Sequence, residues 1–264
     1  METFERLRAE TPAEEPVYVL HELVHNRVVT GQMESRGAVF IATPEELPEG
    51  ATCLIGAHGV GAETERLLRK RTGHLVDATC PIVAKVQQSA AKLTAEEALV
   101  LFGVRGHPEA VGILGHAGTA RHFLVTGAEE IAALPELSRP VLLCQTTMSH
   151  EQADSVFAAL RARFPDARRD GVICHASSER QSAVEELVEH IDLLLVIGSS
   201  HSSNANRLRE IGERSGIPSY LIEGPEQLPA ELGNFRRIGL SAGASTPDEQ
   251  IRLTVEALRQ ILEI

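Results

Sequence analysis

The sequence has no tryptophan, two tyrosines and seven phenylalanines, so aromatics make up only 3% of its 264 residues. With so little ring volume, the core falls to Leu, Val, Ile and Ala. Cysteine is scarce too: there are four, Cys53, Cys80, Cys144 and Cys174, none close to another. That spacing excludes a disulfide framework, and metal binding or burial is the expected use of each thiol. Positive charge is short, with 25 Lys and Arg against 37 Asp and Glu and a formal net charge of −12. The block Arg69-Lys70-Arg71 reads as a solvated helix end. Nucleic acid and anionic membranes both ask for a basic face, so neither is an expected partner. Long apolar runs are missing: the longest, near 191–197, falls far below the ~20 residues of a membrane span. The start, Met1-Glu2-Thr3-Phe4-Glu5, has no basic-then-apolar pattern, so no signal peptide is read and a cytoplasmic location is expected.

What is present is alternation. Apolar runs at 17–20, 38–41, 53–56, 99–102, 141–144, 193–197 and 238–241 read as strands. Helical patterns at 2–9, 63–70, 80–94, 149–164, 178–191, 204–215 and 247–262 lie between them. Such alternation predicts an α/β fold with small, mostly parallel sheets covered by helices. Thr246-Pro247-Asp248-Glu249, Ser149-His150-Glu151 and Ser202-Ser203-Asn204 are helix-start signals. Each hydroxyl there reads as a cap, and the helix N-terminus it caps also offers positive charge to an anion. No strict repeat is visible. The motifs still fall into three blocks, 1–80, 81–173 and 174–264, which predicts three pseudo-equivalent, trefoil-like lobes around a central site.

Those motifs are His25-Asn26, Ala57-His58-Gly59, Asp77-Ala78-Thr79-Cys80-Pro81, Gly106-His107-Pro108-Glu109, Gln145-Thr146-Thr147, Cys174, Ser202-Ser203-Asn204 and Ala242-Gly243-Ala244-Ser245. Nearly all follow a strand-like run, and strand ends are where open α/β sheets bind ligands. Taken singly, each histidine reads as a loop or core residue, and Glu109, after Pro108, as an exposed acid at a helix start. Taken together, histidines, hydroxyls, an amide and two cysteines suit an anionic substrate beside a metal cluster.

In this order and spacing the motifs resemble the LytB/IspH family of 4-hydroxy-3-methylbut-2-enyl diphosphate reductases, from about Val17 to the C-terminus. The resemblance implies an iron–sulfur oxidoreductase of isoprenoid precursor synthesis. The allylic diphosphate substrate loses its hydroxyl with two electrons and two protons, giving isopentenyl and dimethylallyl diphosphates. It implies a 4Fe-4S cluster held by Cys80 and Cys174, and a diphosphate held by His25, His58, His107, Ser202, Ser203, Asn204 and Ser245. Glu109 is implied as the proton-supplying acid and Thr146 as the organiser of the substrate hydroxyl, with a ferredoxin or flavodoxin as electron donor. The family's first cysteine lies in a Gly-Phe-Cys-Ala-Gly-type loop that these residues do not contain, so a clipped N-terminus and weak turnover are expected. For a third cluster ligand, Cys144 is near enough to the expected site to stay open, although it reads first as a buried strand residue; Cys53 reads as core, and His175 or His201 is a non-standard alternative. Two other readings stay open: a diphosphate-binding protein without catalysis, and a zinc hydrolase built on Cys80, Cys174 and a histidine.

Overall fold

The computed structural model describes residues 1–118 and 120–262; Thr119 and the last two positions of the third expected lobe lie outside the described residues. In chain order, α1 (Glu2–Glu10), β1 (Val17–Leu20), α2 (Arg27–Glu34), β2 (Ala38–Ile41), β3 (Thr52–Ile55), α3 (Ala62–Arg71), β4 (His74–Asp77) and α4 (Pro81–Ala91) come first. Next are β5 (Ala98–Phe102), α5 (Pro108–Leu114), β6 (Arg121–Val125), β7 (Pro140–Cys144), α6 (His150–Arg163), β8 (Arg168–Arg169) and α7 (His175–Leu187). The last are β9 (Leu193–Ile197), α8 (Ser203–Arg214), β10 (Ser219–Ile222), β11 (Ile238–Ala242) and α9 (Asp248–Leu262). They build three sheets, ordered β2-β1-β3-β4, β6-β5-β7-β8 and β10-β9-β11, and among the described residues every strand pairing is parallel.

The chain packs into two compact units. One contains Met1–Val24 and Thr30–Ile173; the other contains His25–Val29 and Cys174 onward. In the first unit, successive side chains of β5 and β7 alternate between two cores, as strand geometry demands. Val100, Phe102, Leu142 and Cys144 face Val156 and Leu160 of α6. Leu99, Leu101, Val141 and Leu143 face Val86 and Ala90 of α4 and Ile113 of α5. In the second unit, Leu194 and Val196 pack on α7 and α8 through Val184 and Leu208, while Leu193, Leu195 and Ile197 meet Ile222 and Leu232. Helices on both faces explain why β5, β7 and β9 are apolar at almost every position rather than alternating.

The expected strands match observed ones to within a residue at each end. Four corrections concern helices, the first being α2 (Arg27–Glu34), which was not expected. The helix expected over 80–94 is Pro81–Ala91, because Cys80 caps it from outside. The one expected to start at 178 starts at His175, capped by Cys174. The short α5, expected only as a helix start at Pro108-Glu109, buries Glu109, which was expected to be exposed if it were only a helix-start acid.

Candidate functional site

Each sheet reverses its strand order once. The chain leaves β1, β5 or β9 toward a neighbour on one side, then returns on the other side as β3, β7 or β11. At such a switch point a crevice opens beyond the carboxyl ends of the two central strands, and ligands bind there. All three crevices carry sequence-predicted site residues.

In the first sheet, Leu20 and Ile55 pair in register and the next residue on β3's side is Gly56. A Cβ at Gly56 would lie 2.9 Å from the Glu22 carbonyl oxygen, so glycine lets the two loops touch. Ala57 N–H then donates to the Leu23 carbonyl at 3.1 Å, and His58 follows. The same loop is tied to the end of β4: Cys80 N–H donates to the Ala57 carbonyl at 3.0 Å. Thr79 N–H donates to Asp77 Oδ1 at 2.9 Å, shaping the turn that leaves half-buried Cys80 as the N-cap of α4.

In the second sheet, Gln145 N–H donates to the Phe102 carbonyl at 2.8 Å, and its Oε1 accepts from Val104 N–H at 2.9 Å. The loops after β5 and β7 are thereby pinned together. His107 caps α5, its Nδ1 accepting from Glu109 N–H at 3.1 Å. In the neutral ring that leaves the proton on Nε2. The rings of His58 and His107 meet edge-on, with centroids 5.1 Å apart. Glu109 is only 2% exposed, and its Oε1 accepts from Thr146 N–H at 2.6 Å. Burial raises its pKa to about 7, against the partial opposing effect of the hydrogen bonds from Thr146.

In the third sheet, Gly243 N–H and Thr246 Oγ1 both donate to the Ile197 carbonyl, at 2.8 and 2.9 Å. That fixes the loop carrying half-buried Ser245 beside the end of β9. Ser202 caps α8, its Oγ accepting from Ala205 N–H at 3.3 Å. Ser203 and Asn204 are buried in the first turn. Asn204 is 5% exposed, yet neither its Oδ1 nor its Nδ2 has a hydrogen-bond partner among the described residues. A buried amide left so is costly unless something else supplies the bonds. His25 belongs to this second unit, its ring 6.4 Å from that of His201.

The four thiols separate cleanly. Cys80 and Cys174 are half-buried, each follows the outer strand β4 or β8, and each stands at the N-cap of a helix. Cys53 and Cys144 lie within strands at 0% and 3% exposure, and burial pushes both up to about 11. They have the character of core residues, as expected. His175 is a surface residue paired with Glu179 at 3.3 Å, and His201 is exposed. Sequence reasoning gave no role to Asn26, Gln145 or Gln250. For Asn26 a signal existed: an Asn ahead of Arg27-Val28-Val29 is an N-cap pattern.

The chain is similar to known proteins over nearly its whole length. The family model described as "LytB protein" matches residues 1–259. A 4-hydroxy-3-methylbut-2-enyl diphosphate reductase from Azotobacter vinelandii (strain DJ) is 41% identical over 256 residues, covering 93% of this chain and 81% of that protein. One from Actinobacillus pleuropneumoniae serotype 3 is 40% identical over 254 residues with the same coverage of 93% and 81%. Among solved structures, the E-1-hydroxy-2-methyl-but-2-enyl-4-diphosphate reductase of Plasmodium falciparum matches with a TM-score of 0.91 at 29% identity, over 98% of this chain and 82% of that one. A second, described as (E)-4-hydroxy-3-methyl-but-2-enyl diphosphate reductase, the terminal enzyme of the non-mevalonate pathway, matches with a TM-score of 0.65 at 32% identity, over 98% and 94%.

Proposed function

The chain belongs to the LytB protein family, and from that premise we propose that it is a 4-hydroxy-3-methylbut-2-enyl diphosphate reductase, the last enzyme of the non-mevalonate route to isoprenoid precursors. The substrate's allylic hydroxyl leaves as water, with two electrons and two protons taken up. The observation that carries this reading is Glu109, a buried carboxyl with a pKa of about 7 in the crevice between β5 and β7. A general acid works best when its pKa lies near the operating pH.

Glu109 Oε1 is held by the Thr146 N–H, which leaves Oε2 to carry the proton. The Thr146 hydroxyl, bonded to the same carboxyl, passes it to the departing hydroxyl. His25, His58, His107, Ser202, Ser203, Asn204 and Ser245 hold the diphosphate. In support, Asn204 has two buried polar atoms in need of partners, and Ser203 and Asn204 sit in the first turn of a 12-residue helix, where anions are favoured. Two thiols suit a 4Fe-4S cluster: Cys80 and Cys174, half-buried beyond strand ends, would hold it. When bound, such a cluster supplies the electrons and a Lewis-acidic iron. The electron donor is proposed to be a ferredoxin or flavodoxin. Among the described residues no helix is long and apolar enough to cross a membrane, and a cytoplasmic location is proposed. The three sheets are read as three lobes, 1–80, 81–173 and 174–264.

Anaerobic reconstitution with iron and sulfide tests the reading. Visible cluster absorption and turnover with a strong one-electron reductant are expected, and Cys80→Ser should abolish the absorption. Absorption and iron content that survive Cys80→Ser unaltered overturn the ligand assignment. A protein that takes up zinc but no iron overturns the reductase reading.

A further inference from the structure

His25 stands in a short stretch of chain with an unusual allegiance. It follows β1, and the rest of α2 after Val29 packs with the first unit, yet His25–Val29 packs with the second. A buried side-chain pair is part of that attachment, beside the Arg27–Glu223 ion pair at 3.9 Å and the His25–His201 ring contact. Asn26 Nδ2 donates to Gln250 Oε1 at 3.1 Å, across 224 residues of sequence. The two residues are 4% and 7% exposed. At its other end Asn26 Oδ1 accepts from Val28 N–H at 3.0 Å and from Val29 N–H at 3.1 Å, so the same side chain starts α2. Gln250 Nε2 in turn donates to the Glu223 carbonyl just past β10, which anchors the pair in the third sheet. Asn26, Gln250, Ser199 and Glu223 border one cavity of about 230 Å³, so the pair lies beside the loop that leaves β9 toward Ser202.

We propose that Asn26 and Gln250 are positioning residues that fasten His25 to the unit carrying Ser202, Asn204 and Ser245, so that the histidine is in place before a diphosphate arrives. The inference rests on the diphosphate reading above. Neither residue needs to touch the ligand. A buried amide pair satisfied at both ends is strongly directional, and loss of one partner leaves the other buried and unpaired. The five-residue segment then loosens, and ligand binding must supply the ordering that the bond now provides in advance. Affinity falls, whereas proton delivery from Glu109, in the first unit, does not change.

The test is calorimetric titration with inorganic diphosphate of the wild type, Gln250→Met, Asn26→Ser and the double variant. Serine still caps α2 but is too short to reach Gln250. Each single change is expected to raise Kd about tenfold, and the double change to raise it no further, because both break one bond. In turnover, KM should rise by a similar factor while kcat stays within about twofold. An unchanged Kd in folded Gln250→Met or Asn26→Ser, a roughly hundredfold additive loss in the double variant, or a fall in kcat at constant KM overturns the positioning role. Failure of the wild type to bind inorganic diphosphate overturns instead the reading on which it rests.

Discussion

The crevices at the ends of β5/β7 and of β9/β11 share one topology but treat their buried polar groups in opposite ways. In the first, the protein satisfies its own acid: Glu109 Oε1 is held by Thr146 N–H, and His107 Nδ1 by Glu109 N–H. In the second, Asn204 is as deeply buried but neither polar atom of its amide is paired. The difference matches the two roles. A proton donor must be held in one geometry with its pKa set by its surroundings, and internal hydrogen bonds do that whether or not substrate is present. A binding amide that made internal bonds would have to break them to take a ligand. Leaving it unpaired carries a cost of roughly 1–3 kcal/mol in stability, which the ligand removes.

The largest effect should come from breaking the first crevice. Glu109→Gln keeps an oxygen for Thr146 N–H but removes the proton, and turnover should fall by roughly 10²–10⁴-fold while the Kd for inorganic diphosphate is unchanged. Steady-state kinetics set beside calorimetry on the same preparation checks this. Equal losses in both would mean that the two crevices do not divide the work.

Breaking the second crevice should do the converse. Millimolar inorganic diphosphate should raise the wild-type melting temperature by mass action, and Asn204→Ala should lose most of that shift. The unliganded Asn204→Ala protein should melt no lower than wild type, since the removed amide had no partner in the fold to lose. A clear drop in the unliganded melting temperature would show that Asn204 is satisfied in the free protein.

The pH dependence sharpens the contrast, because the buried acid lies in the first crevice. The folded pKa of Glu109, about 7, lies above the ordinary carboxylate value, so the folded state holds the proton more tightly than the unfolded chain does. The sign follows: the contribution of Glu109 to stability is fully present below pH ~4.5, declines as pH rises toward about 7, and is absent above, a span of roughly 3 kcal/mol. Denaturant melts of Glu109→Gln should lack that decline. Turnover should fall above pH ~7 as the acid loses its proton.

The contrast between the crevices was only half legible in the sequence, and the reason is burial. The central strands β1, β3, β5, β7 and β9 are apolar because both faces are covered, and they stand out as runs. The strands not read, β4, β6, β8 and β10, are all at sheet edges and half exposed; Arg168–Arg169 has no apolar residue at all. Missing β10 hid the place where Gln250 is anchored. The motifs at His25, His58, His107, Thr146 and Ser202 were legible because they follow central strands, whereas Cys80 and Cys174 follow the unread edge strands β4 and β8 and stood out only by residue type. The state of Glu109 was not, since its burial depends on a seven-residue helix too short to show a period. That Asn204 has no partner is invisible in any sequence, being a property of everything around it.

The smallest predicted effect separates a cap from a cradle. Ser149 and Ser202 do the same thing locally. Each caps a helix at a strand end, Oγ accepting from the backbone N–H three residues on, at 3.1 and 3.3 Å. Replacing either by alanine removes one satisfied bond at a helix start and should cost about 1 kcal/mol of stability. The helices differ in what lies ahead of them. α6 begins after β7, and no diphosphate role is proposed for Ser149; α8 begins after β9, where Ser202 is also proposed to bind diphosphate. Ser149→Ala and Ser202→Ala should therefore lower the denaturation midpoint alike, and only Ser202→Ala should weaken diphosphate binding, by about tenfold. Equal affinity in the two variants would reduce Ser202 to a cap and leave the anion to Asn204 and the histidines.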